Sequence, residues 1–433
     1  MNFQTREKKK TSTVWFANLK NSRAPISVSS DLLTAPVSLQ FAGIPGVLTY
    51  NVLGALNKYY DQAINLSPDD YRKDFTVKEK VGTAYVKLDI DTHVYGVALR
   101  GNAGVQIVHT DQTSSAFDID TGNGTSLPTV AFAAGKSYND VLPSINLVAD
   151  FGGGSQLRLG LAKTMARPRM DDMRAAASAG VDPTTKLWNG NGGNPKLAPW
   201  RADSVDISFE HYFDKSSYVA LAGFYKNLTS YIYNQNILYN FAGYTNTSAV
   251  VPVSNIGNYS TPANGKGGYL RGLEFSSAID GGLLSDSLDG FGALLSFSWT
   301  DSSIKPDGPG SSTSATLPGL SKAVANATAY YEKNGFSFRI SERYRSDFRG
   351  EITTRFAQRF YTRILADMQT DLQIGYEFQD GPYQGLSILG QINNLTNSPY
   401  RTVQDGNLDG GGLAPQEYNR YGTQFLFGVS YKL

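Results

Sequence analysis

Gln424-Phe-Leu-Phe-Gly-Val-Ser-Tyr-Lys-Leu433, the end of the stretch Tyr418 to Leu433, decides the fold. Every second residue, Phe425, Phe427, Val429, Tyr431 and Leu433, is aromatic or aliphatic. The residues between them, Gln424, Leu426, Gly428, Ser430 and Lys432, are mostly small or polar. A period of two puts the apolar row on one face of a β-strand. No helical pattern lies beside it to cover that row, so the strand packs on a second sheet or faces lipid.

Outward from this stretch the same alternation recurs. In Val77 to Asp91, Ala84, Val86, Leu88 and Ile90 oppose Tyr85, Lys87 and Asp89. In Val97 to Thr110, Leu99, Ala103, Val105 and Ile107 oppose Arg100, Asn102 and Gln106. Gln156 to Ala166, Ala202 to Phe213, Phe336 to Phe348 and Leu365 to Gln379 repeat it, and Asn2 to Thr11 is a first extended segment. Only in Tyr218 to Tyr233 does hydropathy fail to separate two faces. The count reaches about fourteen strands of roughly ten to fifteen residues, longer than the strands of ordinary globular sheets. Short turns such as Gly152 to Gly154 and Asn334-Gly335 alternate with long polar stretches, among them Asp111 to Lys136, Arg167 to Trp200 and Thr396 to Glu417. Two loop classes joining strands with one apolar face form the pattern of a transmembrane antiparallel β-barrel, with long extracellular loops and short periplasmic turns. A closed wall also satisfies the backbone groups that lipid cannot. A soluble β-sandwich or β-helix is the bland alternative, and neither the strand length nor the two loop classes favour it.

Composition supports a β-rich chain and excludes several functions. Aromatic residues make up 12%, with 26 Tyr and 44 Gly, while charged residues make up only 18%, a balance that suits strands and turns. The formal charge of +1 gives no reason to expect nucleic acid as a partner. Zero cysteines and three histidines leave no thiolate zinc site and predict no cofactor. No apolar run reaches the length of a transmembrane helix, and the start, Met1 to Lys10, lacks the apolar core of a signal peptide.

Several runs then resemble one family. Asp140-Val-Leu-Pro-Ser-Ile-Asn146, Lys163-Thr-Met-Ala-Arg-Pro168, Gly193-Asn-Pro-Lys-Leu-Ala-Pro199, Phe224-Tyr-Lys226, Leu317-Pro-Gly-Leu-Ser-Lys322 and Ile392-Asn-Asn-Leu-Thr396 are similar, in order, to the C-terminal half of TonB-dependent outer-membrane receptors. Tyr421 to Leu433 resembles their closing strand. Gly190 to Tyr212 further resembles the subgroup described from Xanthomonas and Caulobacter, some of whose members take up oligosaccharides. The resemblance implies residence in the outer membrane of a Gram-negative bacterium and uptake of a scarce small molecule, an oligosaccharide or a ferric siderophore. It also implies a signal peptide, a TonB box and a plug ahead of a barrel of about 22 strands. None of these is read in residues 1–433. The expectation is therefore one barrel domain over 1–433, the terminal part of such a barrel, reaching the TonB complex only through a plug outside it and not competent alone. A passive porin and a soluble β-rich binding protein are the alternatives.

No catalytic constellation is visible, and no enzyme is expected. Trp188, Trp200, Tyr239 and Tyr244 in extracellular loops are candidates to stack on sugar rings, against a structural role in loop packing. Arg339, Arg343 and Arg345 line the lumen, where they meet an anionic ligand or pair with lumen carboxylates. Asp405, Asn407 and Asp409 match the start of a calcium loop, but Gln416 stands where the bidentate carboxylate belongs, so the metal expectation is none. His93 and His109 lie on neighbouring strands without a third ligand. The row Phe425, Phe427, Val429, Tyr431 and Leu433 is assigned to outer-membrane lipid.

Overall fold

The computed structural model describes residues 1–10, 15–19, 27–40, 43–64, 74–120, 128–242, 244, 246, 248–304, 315–353, 359–404 and 414–432. Its framework is a meander of long strands: β1 (Asn2–Lys10), β2 (Phe75–Val94), β3 (Val97–Asp120), β4 (Pro128–Asp150), β5 (Ser155–Ala166), β6 (Trp200–Tyr212) and β7 (Tyr218–Asn240). It continues through β8 (Tyr269–Asp280), β9 (Phe291–Ser303), β10 (Ala323–Lys333), β11 (Phe336–Arg345), β12 (Asp367–Glu377), β13 (Leu386–Asn393) and β14 (Gln424–Tyr431). Each pairs antiparallel with the next, from β1 on β2 to β13 on β14. The turns with shortest reach use left-handed backbone. Tyr95-Gly96 has φ 51° and 83°, and Asn334-Gly335 has φ 50° and 82°, the two-residue geometry whose twist matches that of the flanking strands.

Register shows what the alternation is for. One row runs Leu157, Phe209, Leu221, Phe275, Phe297, Ala325, Tyr344 across β5 to β11. The row on the opposite face runs Arg158, Ser208, Ala222, Glu274, Ser298, Val324, Arg345, Asp367. Phe209, Leu221, Phe275 and Phe297 are 46%, 57%, 37% and 46% exposed. A continuous apolar band of this kind is untenable against water and is the lipid-facing surface of a membrane barrel. The closing strand obeys the same rule: Phe425, Phe427, Val429 and Tyr431 share the band, opposite Gln424, Gly428 and Ser430, while Leu433 lies outside the described residues.

Two predicted boundaries move. Asp111 to Lys136, expected as a loop, is largely ladder, because β3 and β4 stay paired from Asp111↔Ser137 to Ile119↔Pro128. Its polar residues face an interior instead of solvent: Gln112 and Ser114 are buried, Gln112 donates to the carbonyls of Pro195 and Leu197 at 2.8 and 2.7 Å, and Ser114 Oγ accepts from the Ala175 amide at 2.8 Å. Pro415–Asn419 is a separate short strand on Tyr400–Gln404, so the closing strand starts at Gln424.

The excursion between β5 and β6 folds inward over this polar strip. Its hairpin, Ala177–Val181 with Trp188–Gly192, adds in parallel to the end of β3 on one side and to strand Ile256–Gly265, itself paired with β7, on the other. Met173 and Leu197 from the excursion pack with Val77, Ala116 and Ile232 into a buried cluster. Glu79, fully buried, takes Arg6 and, at 3.5 Å, Arg167 as counter-charges, and Lys8 reaches Asp171 at 2.7 Å. Paired buried charge of this sort fixes geometry more than it stabilises. The extracellular end of β1 to β7 is therefore filled by its own chain.

β1 covers Phe75 to Thr83 of β2. Among the described residues no pairing returns from β14 to β1.

Candidate functional site

With the β1 to β7 side filled, the accessible inner wall lies at the extracellular ends of β11 to β14. Alternation along β11 carries Arg339, Arg343 and Arg345 on the inward face, opposite Tyr330, Asn326 and Val324 of β10 and Gln373, Gln369 and Asp367 of β12. The three differ in what they meet. Arg339 pairs with Glu332 at 3.2 Å and lies 5.8 Å from the Tyr330 ring centre. Arg343 donates to the side-chain oxygen of Gln369. Arg345 donates to Ser321 Oγ at 2.6 Å and the Gly319 carbonyl at 3.0 Å, and its guanidinium sits 3.7 Å from the centre of the Phe348 ring. Among the described residues, Arg343 and Arg345 have neutral acceptors and no carboxylate partner.

Beside them opens a cleft of about 630 Å³ lined by Asp367, Gln369, Asn394, Tyr400, Tyr421 and Gln424. Asn394 builds it. This buried residue adopts φ 53°, a conformation that asparagine tolerates better than other side chains with a Cβ. Its amide donates to Asp371 Oδ1 at 2.8 Å, its Oδ1 accepts from the Ser398 amide at 2.8 Å, and its Nδ2 donates to the Gly422 carbonyl at 3.1 Å. Thr423 Oγ1 donates to its carbonyl at 2.9 Å. One residue, through its side chain and its backbone, thereby ties β12, the chain after β13 and the chain before β14. Burial, with Glu417 and Tyr421 nearby, holds the Tyr400 phenol above its usual pKa.

The four loop aromatics read from the sequence fall in two places. Trp188, 2% exposed, stacks on Phe241 with centroids 5.4 Å apart and meets Tyr244 edge-on at 6.4 Å. Tyr239 joins the same cluster, 5.0 Å from Phe241 and 6.2 Å from Tyr244. Trp200 stands apart, stacked on Tyr231 at 5.2 Å. Trp188 is thus buried in loop packing. Asp405, Asn407 and Asp409 lie outside the described residues, and among those described no three metal-ligating side chains converge. His93 and His109 do not approach: the first pairs across from Ala98 beside the tight turn, the second from Gly82 near the other end of β2. Tyr400, Tyr421 and Asn394 were not singled out from sequence. The run Ile392 to Thr396 was the one available signal.

A family model described as TonB dependent receptor-like, beta-barrel matches residues 3–395. Among solved structures the chain is similar to the ferric citrate transporter FecA in its unliganded form, at TM-score 0.51 and 14% identity, covering 88% of this chain and 48% of that one. It is similar to the ferric enterobactin receptor PfeA of Pseudomonas aeruginosa, at TM-score 0.50 and 12% identity, covering 82% and 54%. It is also similar to the ferric-catecholate import receptor Fiu of E. coli K12, at TM-score 0.50 and 15% identity, covering 85% and 46%. The chain spans about half the length of these receptors. Among curated proteins none matches it.

Proposed function

The chain belongs to the TonB-dependent receptor-like β-barrel family, whose members are outer-membrane transport receptors of Gram-negative bacteria and not enzymes, and from that premise we propose that it forms the ligand-capturing wall for uptake of a scarce anionic small molecule. The observation that carries this reading is the pair Arg343 and Arg345, inward-facing and balanced by no carboxylate among the described residues. Of the two ligand classes that the sequence suggests, a ferric siderophore chelate is the anionic one and an oligosaccharide the neutral one. The arginines favour the chelate. The solved receptors named for ferric citrate, enterobactin and ferric catecholates support the same choice.

Energised transport belongs to the whole receptor: a plug and the TonB complex supply the driving step, and this chain supplies capture. Titration calorimetry of the purified chain with ferric citrate, a ferric tricatecholate and a neutral maltooligosaccharide tests the reading. Binding of at least one ferric chelate, weakening as salt rises, is expected; binding of the neutral sugar alone overturns it.

A further inference from the structure

On β11 the lipid-facing wall carries a carboxyl among apolar neighbours. The outward positions of β11 are Phe336, Phe338, Ile340, Glu342 and Tyr344, and across the ladder on β12 the last three meet Leu372, Thr370 and Met368. Glu342 lies six residues above the start of β11, as the exposed Phe297 lies six above the start of β9. At about 3.3 Å per residue on a strand tilted by about 40°, that is about 15 Å from the periplasmic turn and inside the hydrocarbon. Thr370 Oγ1 donates to Glu342 Oε2 at 2.6 Å. The second oxygen, Oε1, is shut away beneath its neighbours and meets no donor among the described residues. Lipid tails cannot supply one, so the group is costly unless something other than lipid meets it.

The strand beside it is shaped for close approach. Four successive outward positions of β10 are Ala323, Ala325, Ala327 and Ala329, and the last two are exposed. They form a trough one strand wide, between Leu295, Phe297 and Trp299 of β9 and Ile340, Glu342 and Tyr344 of β11. Small side chains let two proteins approach closely inside a membrane. A trough and a ridge side by side are also self-complementary: a two-fold axis between β10 and β11 lays the β11 ridge of each copy in the β10 trough of the other. The same axis brings the two Glu342 side chains together. A carboxyl carrying its proton is donor and acceptor at once, so a second Glu342 answers the open oxygen as no lipid tail can. We propose that β10 and β11 form a homodimer interface within the bilayer, in which Glu342 turns from beneath its neighbours toward the same residue of a second copy. The surface faces away from the inward cleft and stands whether or not that cleft binds an anion.

The chain has no cysteine, so one introduced thiol reports the contact. Full chain carrying Ala329→Cys, highly diluted in lipid bilayers, is treated with a short bismaleimide. Leu221→Cys, on the lipid-facing side of β7, gives the background from random collision. Cross-linked dimer at 329 well above that at 221 is expected. In the Ala329→Cys chain, Glu342→Leu should lower the dimerisation constant by about tenfold, the size expected when two polar contacts inside a membrane are lost. Glu342→Gln, still donor and acceptor, should hold it within about threefold. Ala327→Phe, which fills the trough and leaves the carboxyl, should abolish the dimer. Equal yields at 329 and 221 overturn the proposal, and so does a dimer that either Glu342→Leu or Ala327→Phe leaves unchanged.

Discussion

Replacing Arg343 and Arg345 together by Gln removes positive charge from the inner wall without orphaning any carboxylate, since their partners are Gln369, Ser321 and the Gly319 carbonyl. The fold should scarcely notice: a cost under about 1 kcal/mol is usual for exposed side chains without a buried charged partner. Binding should notice strongly. A hydrogen bond to a charged group contributes about 1.5–3 kcal/mol, and both guanidiniums are exposed, which halves that by screening. Two such contacts sum to about 1.5–3 kcal/mol, or roughly 13- to 160-fold in Kd for a ferric chelate. Arg339→Gln is the internal control. Its charge is already met by Glu332, so its loss should change Kd by less than about threefold. Calorimetry at fixed ionic strength measures all three. Equal effects from Arg339→Gln and the double variant, or no effect from either, would refute the assignment of the mouth's free charge to β11.

Glu79→Gln leaves Arg6 and Arg167 without their shared carboxylate; a loss of about 2 kcal/mol is expected after allowing for their partial exposure, read as a lower denaturation midpoint and faster proteolysis within residues 167–199. Asn394→Ala should cost about 1–3 kcal/mol through the unpaired Ser398 amide and Gly422 carbonyl, and weaken chelate binding with Arg343 and Arg345 intact. Gly335→Ala places a Cβ 2.1 Å from the Glu377 carbonyl at φ +82°, and the chain should refold in lower yield, by gel mobility, than one with Gly319→Ala, where open space surrounds the same backbone conformation.

The strand count and the two loop classes were legible because period-two alternation is local. The meander has the fourteen strands that alternation predicts. Tyr218 to Tyr233 resisted a reading because its inward face carries Ala220, Ala222 and Phe224, as apolar as its outward Val219, Leu221 and Tyr225. Polar residues from Asp111 onward read as a loop because sequence cannot show that an excursion sixty residues later folds over them. That Arg343 and Arg345 share one face of β11 follows from strand parity, but that their hydrogen-bond acceptors are neutral depends on contacts with β12 and the chain after β9. Tyr400 and Tyr421 join one cleft only through the Asn394 knot, and no spacing rule connects them. Trp188 stayed open between stacking on a sugar and packing in a loop, because a tryptophan in a Gly-rich loop gives no sign of Phe241 stacked against it.

The assignment of one sheet face to lipid and the other to the lumen underlies every step, and site-directed spin labelling tests it most directly. Labels at 209, 221, 275 and 297, and at their chain neighbours 208, 222, 274 and 298, in chain embedded in bilayers should split into two sets. The first set is predicted to collide with dissolved oxygen and be shielded from an aqueous nickel chelate, and the second to show the reverse. Equal access of the chelate to both sets would contradict it.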